Sequence, residues 1–441
     1  MKLRFAGLRD RLRSSLFFVP TVFVVGGIVL GQLTLVLDSE IGPRADLPLG
    51  LTSTVESARS VLSTIAGATI TVAGIAFSIS LLILQLASSQ YSPRVVHGLF
   101  RDPFNKRVMG VVLGTFTYCL VVLRSVRSPL DDSGSPVIPN VSVGVAVFLG
   151  IVSVLSIVAF INHNAHAMDV SEILEVVTNE SISTIEATWV DDGGQARSRA
   201  SEPEQPAGAG WVATFATNGW VQHVDVDALL AATPARSVLR LDTSVGRYGV
   251  EGTPLGTLWP VPDDRANVER CINGAVTLGS SRASTQDVAY GLRQLADVAL
   301  KALSPGINDP TTAQDAIFRA IAVLRALQTT ATPPRVVCGD DDRRLLLAQQ
   351  PTPSELVDLA FGEVRRAATG QPTVCVYLLE AMHLLCEAGD GADPEWSAAL
   401  RREAGLVRDG AEQADLLAPD RAAVITAYEK RFGRTTRARE P

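Results

Sequence analysis

The sequence is poor in cysteine, and its cysteines lack the spacing of a zinc or redox centre. Among 441 residues there are five, and no two form a Cys-x-x-Cys pair: Cys119, Cys271, Cys338, Cys375 and Cys386. Cys119 lies in an apolar run, and the other four fall in a segment that we expect in the cytoplasm, where thiols stay reduced. We therefore expect no disulfide, no metal site and no cofactor.

The chain also lacks a basic surface signal and the common catalytic motifs. Its net charge is −7, with a sequence pI of about 5.4, and no basic stripe suits a phosphate backbone. Nucleic acid is therefore not an expected partner. No Ser-His-Asp, HExxH, Walker or GxGxxG arrangement is present, so the sequence predicts no catalytic residue and leaves enzymatic activity uncertain.

Charge is also absent from four long stretches in the first third of the chain. These uncharged runs are Leu16–Leu37, Val61–Ala87, Val108–Leu123 and Val141–Ile161. A helix of about 20 apolar residues spans the ~30 Å hydrocarbon core of a bilayer. We therefore predict a multi-pass α-helical membrane domain over residues 1–168, with helices at about 16–37, 61–87, 108–123 and 141–161. The lipid bilayer is therefore an expected partner of this domain.

The distribution of Lys and Arg predicts the orientation of these helices. Nine basic residues precede the first run or lie between the second and third, against four in the other two loops. Cytoplasmic loops of membrane proteins carry the excess of Lys and Arg. Both termini are therefore predicted to be cytoplasmic.

The second apolar run carries small and polar residues at helical spacing. Gly67, Thr71, Gly74, Ser78 and Gln85 fall on one face. Small residues allow helices to pack closely in lipid, within the chain or in a homo-oligomer. The alternative is that this face lines a polar conduit. No Asp, Glu, Lys or Arg lies in any run, which argues against a proton relay.

The remaining sequence predicts a cytoplasmic α+β domain. Residues 169–210 should form a connecting helix, through about Thr188, and a flexible linker. Residues 211–262 contain short β-type runs broken by Gly and Pro, which indicate a small β-barrel or sandwich. Residues 263–432 should be a helical bundle, and 433–441 a tail. Its helices are predicted at about 264–279, 285–303, 309–328, 354–369, 372–388, 395–416 and 418–431, and a short hairpin is predicted over Val336–Leu347.

The densest polar sequence, Ser284–Thr312, contains the candidate ligand-binding residues. A structural account needs only two helices, a Ser-Pro-Gly turn, and Asp309 as the N-cap before Pro310. A functional account uses the same helix N-terminus to hold a small anion or polar ligand. The candidates are Asp287, Arg293, Asn308, Asp309, Thr311 and Thr312; the ligand is unknown.

Two histidines, His163 and His166, stand where the fourth run ends. Three residues apart on a helix, they share a face, but a metal site needs more ligands. We interpret them as part of a polar cap at the membrane surface.

Several segments together resemble a family of predicted bacterial membrane proteins, domain of unknown function 2254. The segments are Ala73–Ser78, Gln90–Arg94, Gly219–Gln222, Glu251–Leu255 and Gln286–Ala313. The resemblance implies four helices and a cytoplasmic domain in the bacterial inner membrane. It implies no reaction and no catalytic residue. In that family adjacent histidines would be expected after the fourth helix, whereas here His163 and His166 are separated.

Three functions remain open from the sequence. The first is a channel- or transporter-like oligomer with a cytoplasmic ligand-sensing domain, which the polar stripe favours. The second is a non-transporting membrane scaffold or signalling protein, which the absence of charge in the membrane favours. The third is a membrane-bound enzyme with a cytoplasmic active site.

Overall fold

The structure, a computed structural model, consists of two compact units. They comprise Met1–Asp169 and Val170–Pro441. The residues that it describes are 18–41, 54–90, 103–126, 139–166, 169–189, 208–389 and 394–433.

The described residues of the first unit form four helices that can cross a membrane, as predicted. They are α1 (Phe18–Ile41), α2 (Val55–Gln90), α3 (Pro103–Ser125) and α4 (Asn140–His166). Their apolar spans have 22 to 29 residues, or ~33–44 Å at ~1.5 Å per residue. The helices are longer than the uncharged runs because polar residues continue each helix beyond its apolar part.

Helix α3 forms the centre of the described part of this unit. In its most apolar 18-residue stretch 44% of the residues are buried, against 17% to 22% in the corresponding stretches of the other three. Its buried side chains Tyr118 and Val122 pack with Leu62 of α2 and Ala146 of α4. The outward surfaces of α1 and α4 carry large apolar side chains such as Val29 and Leu155, as a surface in contact with lipid acyl chains requires.

Two open sheets lie in the described part of the second unit. Its strands are β1 (Trp211–Thr214), β2 (Gly219–Val224), β3 (Val238–Leu241), β4 (Tyr248–Gly249), β5 (Pro254–Trp259), β6 (Val276–Gly279), β7 (Val336–Cys338) and β8 (Arg344–Leu346). One sheet has the order β1-β5-β3-β8-β7 and the other β4-β2-β6. Neither sheet closes, so the predicted barrel or sandwich is not confirmed.

Three of these strands come from beyond residue 262, where the sequence predicted a helical region. Strand β6 pairs with β2, and β8 lies parallel to β3, with Leu239 opposite Leu345. The pairing satisfies the N–H and C=O groups of β3 on the side away from β5. The predicted hairpin at Val336–Leu347 is confirmed by the antiparallel pairing of β7 and β8.

Helices make up the rest of the second unit. They are α5 (Val170–Thr188), α6 (Val226–Ala232), α7 (Arg265–Ala275), α8 (Val288–Ala302), α9 (Pro310–Thr329), α10 (Pro353–Val357), α11 (Glu363–Ala368), α12 (Pro372–Ala388), α13 (Pro394–Gln413) and α14 (Ala418–Phe432). A π-helical turn, Asp358–Gly362, joins α10 to α11.

In the second unit most helix boundaries agree with the prediction to within three residues. Helix α7 is the exception there, because the chain turns into β6 at Val276 instead of remaining helical to residue 279. Residues 191–207 of the predicted linker and 434–441 of the predicted tail lie outside the described residues.

Candidate functional site

The six predicted ligand-binding residues are distributed along helix α8 and beyond both its ends. Asp287 precedes the helix, Arg293 lies within it, and Asn308–Thr312 follow it. A helix of 15 residues is ~22 Å long. The structure therefore separates them into three places and does not assemble one site.

Asp287 forms a buried ion pair with Arg282. Its Oδ2 lies 2.7 Å from an Arg282 Nη2, and only 4% of its side chain is exposed. Burial raises the pKa of this carboxyl, and Arg282 opposes that shift. The guanidinium also lies 5.1 Å from the centre of the Tyr290 ring, a cation–π contact. Gly246, at φ +83°, packs against this pair, and a Cβ there would collide with the Asp287 carboxylate.

Arg293 connects two helices through a pair of carboxylates. Its guanidinium donates to both oxygens of Glu363 at 2.7 and 3.1 Å, and its Nη2 lies 2.7 Å from Asp297 Oδ1. Glu363 begins α11, so this fork joins α8 to α11. The hydrogen bonds to Glu363 raise the pKa of Arg293.

Asp309 acts as the N-cap that the structural account predicted. Its Oδ1 accepts the Thr311 and Thr312 backbone N–H groups at 3.1 Å, and its Oδ2 accepts the Thr312 hydroxyl at 2.6 Å. These bonds lower the pKa of the carboxyl. The exposed Asn308 adopts φ +49° and accepts from Gln371 Nε2 at 3.4 Å. Both oxygens of Asp309 are thus engaged inside the chain.

The small and polar stripe of α2 faces away from the rest of the described protomer. Gly67, Thr71, Gly74, Ser78 and Gln85 are all exposed, and no atom lies within 4 Å of a Cβ built on either glycine. Their hydroxyls donate within the helix, from Thr71 to the Gly67 carbonyl at 2.8 Å and from Ser78 to the Gly74 carbonyl at 3.0 Å.

The packed face of α2 is the opposite one. It carries Ala58, Leu62, Ala66, Ala73 and Ala76, all buried. The stripe therefore makes no close helix contact inside the described chain. The two sequence-based interpretations of this stripe, close helix packing and a polar conduit, stay predictions.

Close glycine packing occurs instead where α1 crosses α3. Each helix has a Gly-x-x-x-Gly motif, Gly27 with Gly31 and Gly110 with Gly114. A Cβ on Gly110 would lie 2.6 Å from the Phe23 ring, and one on Gly31 would lie 2.9 Å from Val121. We did not predict this contact from the sequence, although the motif is a known signal for it in apolar helices.

A polar network at one end of the membrane unit was also not predicted. The Asp38 carboxylate caps α4, accepting Val141 N–H at 2.8 Å and Ser142 N–H at 2.9 Å. The Tyr118 hydroxyl lies 2.9 Å from Thr34 Oγ1 and donates to the Ser142 carbonyl at 2.9 Å. No local motif could indicate it, because its members come from three helices far apart in sequence.

The histidines and cysteines form no metal centre in the part of the chain that the structure describes. The His163 ring centre lies 4.6 Å from that of Phe104, while the His166 side chain is outside the described residues. All five cysteines are free thiols. Burial raises the pKa of Cys375 to about 11, so this thiol is not an activated nucleophile.

A pocket of ≈ 270 Å³ lies in the second unit, where the chain enters and leaves the β7–β8 hairpin. Its lining includes Trp189, Arg335, Glu395 and Trp396. No local sequence pattern could indicate this pocket, because its lining comes from separate stretches of the chain.

Comparison with known proteins identifies relatives over almost the full length. The family described as Predicted membrane protein (DUF2254) matches residues 13–383. The chain is 31% identical over 431 residues to Uncharacterized protein Rv1290c of Mycobacterium tuberculosis and to Uncharacterized protein Mb1321c of Mycobacterium bovis. Each alignment covers 95% of this chain and 80% of the relative. No solved structure matches the chain.

Proposed function

This chain belongs to the DUF2254 family of predicted membrane proteins, and we propose that it forms a homo-oligomer whose α2 helices surround a channel- or transporter-like conduit. In this proposal the protein lies in the bacterial inner membrane with both termini in the cytoplasm. The second unit is its cytoplasmic, ligand-sensing part.

The single observation that supports the conduit is the contrast between the outward surfaces of the bundle. On α1 and α4 these surfaces carry large apolar side chains, including Val25, Val29, Ile151 and Leu155. The outward surface of α2 also exposes large apolar side chains such as Ile75 and Phe77, but beside them it carries the exposed stripe of glycines and hydroxyls, which α1 and α4 lack. Small residues let copies of a helix approach one another, and hydroxyl oxygens can replace water around a passing solute.

The stripe continues toward one end of α2 beyond the five predicted residues. Ser60 and Thr64 are also exposed on this face. From Ser60 to Gln85 the helix rises by ~37 Å, which exceeds the ~30 Å hydrocarbon core. On the same face, however, the exposed Leu81 and Leu82 separate Ser78 from Gln85. The small and polar residues from Ser60 to Ser78 therefore extend over ~27 Å, which is most of the hydrocarbon core.

Oligomerisation is tested by Gly74→Leu, with Gly26→Leu as its matched control. Both glycines have open space around a Cβ, but Gly26 lies on α1 among large lipid-facing side chains. We expect Gly74→Leu to shift the detergent-purified protein to a smaller species by mass photometry, while Gly26→Leu leaves it unchanged. A monomeric wild-type protein, or an oligomer unaffected by Gly74→Leu, would contradict the proposed role of this face.

Transport is tested with the same variants in proteoliposomes. Potassium, chloride and glycerol provide a cation, an anion and a neutral solute. We expect flux of at least one of them with the wild type and Gly26→Leu, and none with Gly74→Leu. An oligomer that passes none of the three would instead favour the non-transporting scaffold or signalling protein.

A further inference from the structure

The charged residues of α2 both lie near its N-terminal end. They are Glu56 and Arg59, and no charged residue follows them in the helix. The Arg59 guanidinium donates to the carbonyl of Val126, just after α3, at 3.0 Å. Its charge is thus held beside the neighbouring helix. Glu56 is exposed and lies on the face of the stripe, four residues and about one turn before Ser60.

The position of Glu56 determines the charge at one mouth of the proposed conduit. In an oligomer whose α2 helices surround a conduit, each subunit places one Glu56 carboxylate at the same level. Rings of Asp or Glu side chains are the usual device for admitting cations. Such a ring also raises the local concentration of cations before they enter.

The hydroxyls of the stripe present acceptors to the outside. Three exposed hydroxyls of this face donate to a carbonyl three or four residues earlier, at 2.8 to 3.1 Å: Ser63, Thr71 and Ser78. A hydroxyl has one donor hydrogen and two acceptor lone pairs. Because the hydrogen is engaged inside the helix, each oxygen turns lone pairs outward. Lone pairs can replace the water around a cation, whereas an anion requires donors.

We propose that the conduit conducts cations, which enter at the Glu56 ring and pass along the hydroxyl oxygens of the stripe. The inference rests on the proposed function, because it names the class of solute for the same face of α2. The exposed Leu81 and Leu82 supply no ligand to an ion of either sign. They therefore limit flux without changing its preference for one charge.

The experiment is measurement of the reversal potential of the purified full chain in planar bilayers under a gradient of potassium chloride. We expect potassium to permeate about tenfold or more better than chloride, as local enrichment of the counter-ion implies. Equal permeability, a preference for chloride, or flux of glycerol without potassium would overturn this inference and leave the conduit. An absence of flux for all three solutes would remove the conduit itself.

Glu56→Gln tests the carboxylate, with Glu40→Gln as its matched control. Glu40 is also exposed and ends α1 on the side of the membrane where α2 begins, but it is not on the stripe. We expect Glu56→Gln to lower the potassium-to-chloride ratio by about threefold or more, with an unchanged oligomer by mass photometry. Glu40→Gln should leave the ratio as it is. Equal ratios for the two variants would overturn the role of Glu56.

Ionic strength separates an electrostatic effect of Glu56 from a structural one. The Debye length falls from ~10 Å at 0.1 M salt to ~3 Å at 1 M. The difference between the wild type and Glu56→Gln should therefore shrink as the salt concentration rises, and a difference that persists undiminished would contradict a charge effect. Thr71→Val, which replaces the hydroxyl by a methyl group, should lower potassium conductance. Unchanged conductance in this variant would overturn the role of the hydroxyl oxygens.

Discussion

The carbonyl oxygen of Gly114 on α3 lies 2.5 Å from the place that a Cβ on Gly27 of α1 would occupy. The relationship is reciprocal, since a Cβ on Gly114 would lie 2.9 Å from the carbonyl oxygen of Phe23. Backbone therefore touches backbone where α1 and α3 cross. Such an approach is open only to glycine, because any side chain would have to displace main-chain atoms.

A first prediction tests this crossing with adjacent glycines. Gly27→Ala should destabilise the membrane unit by about 1–3 kcal/mol, as overpacking does, because its Cβ would collide with backbone. Gly26→Ala should change stability little, since no atom lies within 4 Å of that Cβ. The melting temperature of the detergent-solubilised protein is the measurement. Equal melting temperatures for the two variants would show that α1 and α3 can move apart at Gly27 without loss of stability.

A second prediction concerns Asp309 as a helix cap. Asp309→Asn should keep stability within a few tenths of a kcal/mol, while Asp309→Ala should lose about 1 kcal/mol. The folded-state pKa is lowered by the Thr311 and Thr312 hydrogen bonds. The ionised carboxylate therefore stabilises the fold at pH values above the usual Asp pKa of about 3.9. This contribution to stability is lost as the pH falls through the lowered pKa of the folded state.

Unfolding of both variants by denaturant, at neutral and acidic pH, measures the role of this cap. In Asp309→Asn the pH dependence of stability that comes from the Asp309 carboxyl should be absent. Normal stability of Asp309→Asn together with lost flux or ligand response would instead make the Asn308–Thr312 turn a functional site.

A third prediction concerns the buried Arg282–Asp287 pair. Arg282→Gln leaves a buried carboxylate without its cation and should cost up to about 3 kcal/mol at neutral pH. The folded pKa of Asp287 is raised by burial, so its ionisation opposes folding. The stability that the protonated Asp287 carboxyl provides at low pH is lost as the pH rises through its folded-state pKa. Without Arg282 this loss is steeper.

Asp287→Asn in the Arg282→Gln background should flatten this pH dependence. Arg319→Gln is the control, because its pairing with Glu175 is long and exposed at 3.5 Å and should contribute at most about 1 kcal/mol. Thermal unfolding between pH 4 and 8 measures all three. A pH profile of Arg282→Gln that matches the wild type would show that Asp287 gains nothing from its partner.

A fourth prediction concerns membrane topology. Both termini should be cytoplasmic and Asp131, which lies outside the described residues, should be periplasmic, because Lys and Arg accumulate on the cytoplasmic side. An alkaline phosphatase fusion after Ser133 should be active, and one at the C-terminus inactive. A fusion after Ser133 that behaves as cytoplasmic would reverse the orientation.

Features that depend on neighbouring residues could be derived from the sequence. The four membrane helices follow from uncharged runs that are long enough to span the hydrocarbon core. The cap at Asp309 follows from its position directly before Pro310 at the start of α9. Both signals lie within a few turns of one helix, so no knowledge of the fold was needed to read them.

Features that depend on which surfaces meet were decided by the tertiary structure alone. The parallel pairing of Leu239 with Leu345, the capping of α4 by Asp38 and the pocket around Trp396 each join distant parts of the chain. The small residues of α2 show the limit most plainly. Their helical spacing predicts a common face, but only the packing of the other three helices decides that this face points outward, where another copy or lipid must cover it.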